Sequence, residues 1–186
     1  MLARSIVIGG ALLMTATAAN AHTLTVAGRN ADARACYDAA RFDRAWSETL
    51  PRCTRALAQG DLSHADQVAT MVNRGILRLR LSDARGAVAD FDAAMALEPD
   101  QPDAAINKGI ALLSIGGSDD LALDLINRGI QGEPERPWVG YWARAVAHEL
   151  AGRDTEAYRD YREAEHLYPG WAPAREALAR FRVVGS

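Results

Sequence analysis

Three prolines at one spacing constrain the fold of this chain more than any other feature of its sequence. Pro99, Pro134 and Pro169 follow one another at intervals of 35 residues. Each is preceded by the same pattern of small and bulky side chains. The positions that share it are Gly75, Ala87, Phe91 and Ala94, then Gly109, Ala122, Ile126 and Gly129, then Ala145, Ala157, Tyr161 and Ala164. A fixed period of this length predicts stacked supersecondary units.

The pattern fits two antiparallel helices in each period. Two helices packed at close range need small side chains where their axes approach and a bulky side chain beside the contact. We expect Gly75 and Ala87 to be the contact points and Phe91 to be the filling side chain. Pro99 ends the second helix, because proline cannot continue a helix interior.

The clearest copy resembles a tetratricopeptide repeat (TPR). It runs from Met71 to Pro99 and has the glycine, two alanines, aromatic residue and proline at the family's spacing. The next copy has one inserted residue around Gly116, and the last has one before Trp138. The resemblance implies an all-α fold, a right-handed α-solenoid of antiparallel helix pairs.

The repeat register also predicts how the chain is divided. The TPR-like array covers residues 30–171. Its four units lie at about 30–63, 68–101, 102–136 and 138–171. Residues 172–186 form a capping helix and tail, in which Ala174, Leu178 and Phe181 share one face. This helix covers the apolar end of the array, or alternatively folds back into the groove of the array.

The first 21 residues predict a secretory signal peptide. Arg4 is a positive start, Ile6 to Met14 is an apolar run, and Ala19-Asn20-Ala21 is a small-residue cleavage site. Cleavage after Ala21 leaves residues 22–29 as an N-terminal linker and places the protein in the periplasm or outside the cell. An uncleaved membrane anchor is the alternative, although the apolar run is short for one. No later stretch predicts a membrane span.

Composition and motifs give no sign of catalysis. A formal net charge of −3 provides no overall attraction to nucleic acid or anionic lipid. His148-Glu149 resembles the start of a zinc motif, but Gly152 stands where the second histidine would be. Gly116-Gly117 has no lysine of a phosphate loop. We therefore predict a chain that is not an enzyme, with no catalytic, cofactor-binding or metal-binding residues.

The chain has two cysteines, which the repeat register places in the first helix pair. Cys53 takes the place of Phe91 on the second helix, and Cys36 takes the place of Arg74 on the first. Both places lie near the contact between paired helices. We predict a Cys36–Cys53 disulfide, as suits an exported protein. Two buried free thiols are the alternative.

The resemblance implies a concave groove lined by the first helix of each unit. The predicted partner-binding residues are Val72, Asn73, Ile76, Leu79, Ile106, Asn107, Ile110, Leu113, Trp142, Val146 and Leu150. An apolar patch of this size on a monomer indicates an interaction site, unless a tight superhelix buries it. In some TPR proteins an asparagine at the place of Asn73 helps to bind a carboxylate, but Asp103 replaces the basic residue required. A structural role for Asn73 and Asn107 is favoured.

These observations predict a non-catalytic scaffold or adaptor. Its groove would bind an apolar or amphipathic segment of an unidentified protein or peptide partner. The alternative is a structural subunit that self-associates through the same apolar face.

Overall fold

The computed structural model describes residues 5–8, 23–42, 45–116 and 119–184. Its elements are β1 (Ser5–Ile8), α1 (Ala31–Phe42), α2 (Trp46–Gln59), α3 (His64–Arg80), α4 (Ala84–Leu97), α5 (Pro102–Ile115), α6 (Asp119–Gln131), α7 (Pro137–Leu150), α8 (Asp154–Leu167), α9 (Ala172–Leu178) and β2 (Phe181–Val184). Consecutive helices pack in pairs, and each pair packs against the next. The predicted all-α solenoid is confirmed.

Small residues allow the paired helices to approach as predicted. A Cβ built on Gly75 would lie 2.5 Å from Cε1 of Phe91, and one on Gly109 would lie 2.6 Å from Cγ1 of Ile126. Phe91 and Ile126 are fully buried. At Gly75 and Gly109 the contact between the paired helices therefore has room for a hydrogen but not for a methyl group.

Several helices begin at residues whose side chains cap them. The Ser63 hydroxyl accepts a hydrogen bond from the backbone N–H of Asp66 at the start of α3, and the Asp83 carboxylate accepts one from Gly86 at the start of α4. Pro102 and Pro137 lie in first turns, where the missing N–H costs nothing. Pro51 lies inside α2 without dividing it.

The C-terminal helix occupies the first part of residues 172–186, the stretch predicted to be a capping helix and tail. It ends at Leu178, and Phe181 begins a strand instead of continuing the helical face. The ring centroid of Phe181 lies 5.7 Å from that of Tyr158 and 5.8 Å from that of Tyr161. These aromatic contacts bury Phe181 against α8. Ala174 is nevertheless fully buried at the end of the array.

The strand β2 pairs antiparallel with β1, and Phe181 lies opposite Ile8. The strand β1 therefore falls within the stretch predicted to be a signal peptide. The rest of that stretch and the predicted cleavage point after Ala21 lie outside the described residues. Among the helices that the structure describes, none combines the length and apolar character that a membrane span requires.

Candidate peptide-binding groove

The first helices of successive units form the inner face of the array. Helices α3, α5 and α7 contact one another in turn, as expected for the lining of a curved stack. The predicted groove residues on these three helices are Val72, Asn73, Ile76, Leu79, Ile106, Asn107, Ile110, Leu113, Trp142, Val146 and Leu150. All of them except the half-buried Leu150 are at most 9% exposed.

This burial corrects the expectation of an open apolar groove. Ile106 and Ile110 are 0% and 2% exposed, so they belong to the core. Trp142, the most prominent candidate for an anchor, is 6% exposed and packs edge-on against Trp171 with 6.2 Å between ring centroids. Sequence periodicity gives the face of a helix, but it does not show what covers that face.

Part of the cover comes from residues predicted to be a linker. The segment Thr23–Gly28 precedes α1 and lies along α3. Leu24 and Val26 are buried, whereas Thr25 and Ala27 are exposed. This alternation is that of an extended strand with one face against the array.

Asn73 binds both backbone polar groups of one residue in this segment, Leu24. Its Nδ2 donates to the carbonyl of Leu24 at 2.7 Å, and its Oδ1 accepts from the N–H of Leu24 at 3.0 Å. A neighbouring β-strand would offer a residue the same pair of bonds. Asn73 is fully buried. Asn73 therefore fixes the backbone of Leu24 against the inner face.

Asp66, in the first turn of α3, holds the other end of the segment. Its Oδ1 accepts from the N–H of Ala27 at 2.8 Å and from that of Gly28 at 3.2 Å. Burial acts to raise the pKa of the Asp66 carboxyl, but the hydrogen bonds from Ser63, Gly28 and Ala27 outweigh it and hold this pKa below its usual value. Asp66 is ionised at neutral pH.

The segment then joins the first helix pair. The side chain of Asn30 caps α1, since its Oδ1 accepts from the N–H groups of Asp32 and Ala33. Cys36 and Cys53 form a disulfide between α1 and α2, with 5.2 Å between their Cα atoms and both side chains fully buried. The pairing is the one that the repeat register predicts. The bridge fixes the end of the array from which the segment extends.

Comparison with known proteins supports this architecture. No protein-family model and no curated protein sequence matches the chain. The crystal structure of MamA is similar, with a TM-score of 0.58 and 16% identity over 76% of this chain and 79% of that chain. The Arabidopsis OM64 TPR domain has a TM-score of 0.57 and 21% identity over 63% of this chain and 96% of that chain. A MamA structure from AMB-1 has a TM-score of 0.54 and 19% identity over 78% of this chain and 75% of that chain.

The fold is TPR-like. The docked segment and its contacts with Asn73 belong to this chain and were not visible in the repeat pattern. Asn73 itself was a sequence candidate, but its partner lies 49 residues away.

Paired charges recur at one register position and were missed by sequence analysis. Arg74 binds Asp90 at 2.6 Å in the second unit, and Arg144 binds Asp160 at 2.8 Å in the fourth. Each arginine directly precedes the small residue of the helix contact, and each aspartate precedes the bulky one. The sequence signal for these ion pairs is the recurrence of arginine and aspartate at the same two positions of the repeat. They join the two helices of a unit and leave the inner face uncharged at these positions.

The broken zinc motif is explained by packing. His148 is half-buried, and its Nδ1 accepts from Nε of Arg153 at 3.0 Å. Glu149 accepts from the Tyr161 hydroxyl at 2.7 Å and from Nη2 of Arg180 at 2.8 Å. Burial, together with the hydrogen bond to Glu149, raises the pKa of Tyr161 far above its usual value. No group of metal-ligating side chains occurs in the part of the chain that the structure describes.

Proposed function

We propose that this protein is a non-catalytic interaction module of the periplasm or cell exterior that holds an extended segment of a partner protein on the inner face of its array. One observation carries the proposal: Asn73 already binds an extended backbone there, through a donor and an acceptor on the same residue. These bonds involve the main chain, so any extended segment offers them.

The apolar surroundings of Asn73 suit such a segment. Val72 and Ile76 flank it on α3 and are fully buried. Leu24 and Val26 occupy the place that apolar side chains of a partner would take. Binding of a partner at this point therefore requires the N-terminal segment to leave, and the apolar face then drives association by the burial of its surface.

Self-association through the apolar inner face is the alternative function. The residues that would form this interface are buried within one chain, so a second copy would meet little of their surface. Light scattering on the purified chain separates the two functions. A monomer at micromolar concentration is expected, and a concentration-independent dimer would favour self-association.

Export is proposed from the leader sequence and the disulfide together. The Cys36–Cys53 bridge is of the kind that persists in oxidising compartments. Expression of the full chain in a Gram-negative host, followed by fractionation, should yield a periplasmic protein that begins at His22 and has both thiols blocked. A cytoplasmic product that retains Met1 would contradict export.

Binding is tested with an array of ten-residue peptides probed with the purified protein. Peptides that alternate apolar and other residues should bind. In a chain whose N-terminal segment is expelled by Leu24→Asp, Asn73→Ala should weaken their binding at least about tenfold, because it removes two hydrogen bonds to the peptide without relieving competition from Leu24. Asn127→Ala is the matched control, since Asn127 lies on α6 and pairs with Arg144. Circular dichroism checks that both variants remain helical. Equal effects of the two substitutions, or no binding peptide at all, would refute the proposal.

A further inference from the structure

We infer that the inner face at α3 is a site for extended segments of the pattern apolar–x–apolar–x–glycine, and that Leu24–Gly28 of the chain itself is the resident ligand. The inference rests on the proposed function, because it names the class of partner segment and the contact that the partner must displace. It is drawn from three features of the docked segment.

The first feature is the direction in which the side chains point. Leu24 and Val26 are 9% and 4% exposed, whereas Thr25 and Ala27 face solvent. Alternate residues of an extended chain lie on opposite faces. The array therefore contacts the side chains at the two apolar positions and leaves those at the two positions marked x in solvent.

The second feature is recognition of the backbone at the first apolar position. Asn73 satisfies both the N–H and the C=O of Leu24. Proline is excluded at this position, since it has no N–H to donate to Oδ1 of Asn73. Other apolar residues offer the same backbone groups.

The third feature is the glycine. A Cβ built on Gly28 would lie 2.4 Å from Oδ2 of Asp66. That oxygen also accepts from the Ser63 hydroxyl at 2.8 Å, while the other carboxylate oxygen accepts from Ala27 and Gly28. The buried carboxylate is held from both sides and cannot turn away without losing these bonds. The site therefore selects glycine for its size.

The resident segment competes well for the site because it is covalently attached to the array. Gly28 lies two residues before Asn30, which caps α1. A segment on so short a tether has an effective concentration of roughly millimolar or above. A free segment of the same pattern must compete with this concentration, so the site is self-occupied until a stronger or more abundant partner segment arrives.

The test uses full-length chains and a labelled peptide of residues 22–29, HTLTVAGR. Leu24→Asp expels the resident segment, because a charge at this buried position is strongly unfavourable. Thr25→Asp is the matched control, with the same added charge on the exposed face. By fluorescence anisotropy, the peptide should bind the Leu24→Asp chain at least about tenfold more tightly than the wild type or the control.

A second peptide tests the glycine. Alanine at the position of Gly28 should weaken binding to the Leu24→Asp chain at least about tenfold, which corresponds to about 1.4 kcal/mol and lies within the usual cost of an overpacked contact. Equal affinity of HTLTVAGR for all three chains, or equal affinity of the two peptides for Leu24→Asp, would overturn the inference.

Hydrogen exchange of the wild-type chain provides a measurement that does not depend on how a variant folds. The amide of Leu24 should exchange at least about tenfold more slowly than the rate of an unstructured chain. Exchange at the unstructured rate would overturn the inference.

The experiments distinguish a failure of this inference from a failure of the proposed function. If the labelled peptide behaves as expected but no foreign peptide binds, the inference stands and the interaction module is refuted. If foreign peptides bind the wild type and Leu24→Asp with equal affinity, the module stands and the resident ligand is refuted.

Discussion

Replacement of Gly75 by alanine should destabilise the protein, even though alanine is the better helix former. The added methyl group would lie 2.5 Å from Cε1 and 2.8 Å from Cζ of Phe91. The ring of Phe91 is fully buried, and side chains in a close-packed core have little room to rotate. The two helices must therefore move apart, which weakens contacts along their whole interface.

Two contributions of opposite sign determine how much Gly75→Ala changes the free energy of unfolding. Overpacking a well-packed core costs about 1–3 kcal/mol. Glycine to alanine in a helix interior gains about 1 kcal/mol. The net expectation for Gly75→Ala is a loss of about 1 kcal/mol in the free energy of unfolding, with an upper limit of about 2 kcal/mol. For a chain of this size the melting temperature should fall by about 2–4 °C per kcal/mol.

The assay is guanidinium chloride unfolding followed by circular dichroism at 222 nm. The double variant Gly75→Ala/Phe91→Leu provides the control, because a smaller side chain relieves the clash and the alanine should then cost less than it does alone. The reasoning is refuted if Gly75→Ala alone raises the free energy of unfolding by the 1 kcal/mol or so that helix propensity gives.

Three further predictions concern the bridge and the buried polar groups. Reduction of the Cys36–Cys53 disulfide, whose cysteines are 17 residues apart, should lower the free energy of unfolding by about 3 kcal/mol in the chain-entropy model. Denaturant curves with and without reductant measure this, and superimposable curves would contradict it. Glu149→Gln should cost about 1–3 kcal/mol, because it leaves the guanidinium of Arg180 without its charged partner; an unchanged unfolding midpoint would count against this role. Burial lowers the pKa of His148 below its ordinary 6.5, so its contribution to stability is full above pH 6.5 and is lost as the pH falls through the lowered pKa. An NMR titration of the imidazole should have its midpoint below 6.5, and a higher midpoint would contradict this.

The helix pairs could be predicted because their determinants lie close together in the sequence. Gly75 and Phe91 are 16 residues apart, and the equivalent contact between Gly109 and Ile126 occurs in the next period. Ser63 and Asp83 cap helices that begin at the next residue. Signals of this kind depend on local geometry, which a repeat reproduces in each unit.

The occupant of the inner face could not be predicted in the same way. Leu24 and Asn73 are 49 residues apart, and Leu24 takes part in the contact through its backbone, which is the same in every residue. The alternation of Leu24 and Val26 with Thr25 is too short to distinguish a docked strand from a linker. The repeat pattern begins only after this segment, at about residue 30, so the repeat register does not extend to it.

The polar groups around the docked segment determine which kind of ligand the inner face at α3 can hold. Asn73 offers one donor and one acceptor, and Asp66 offers only acceptors. Hydrogen bonds keep the pKa of the Asp66 carboxyl low despite its burial, so the site carries a negative charge at neutral pH. A terminal carboxylate would meet repulsion there, whereas successive backbone N–H groups would each find an acceptor. The inner face at α3 therefore suits the middle of an extended segment and not its C-terminus.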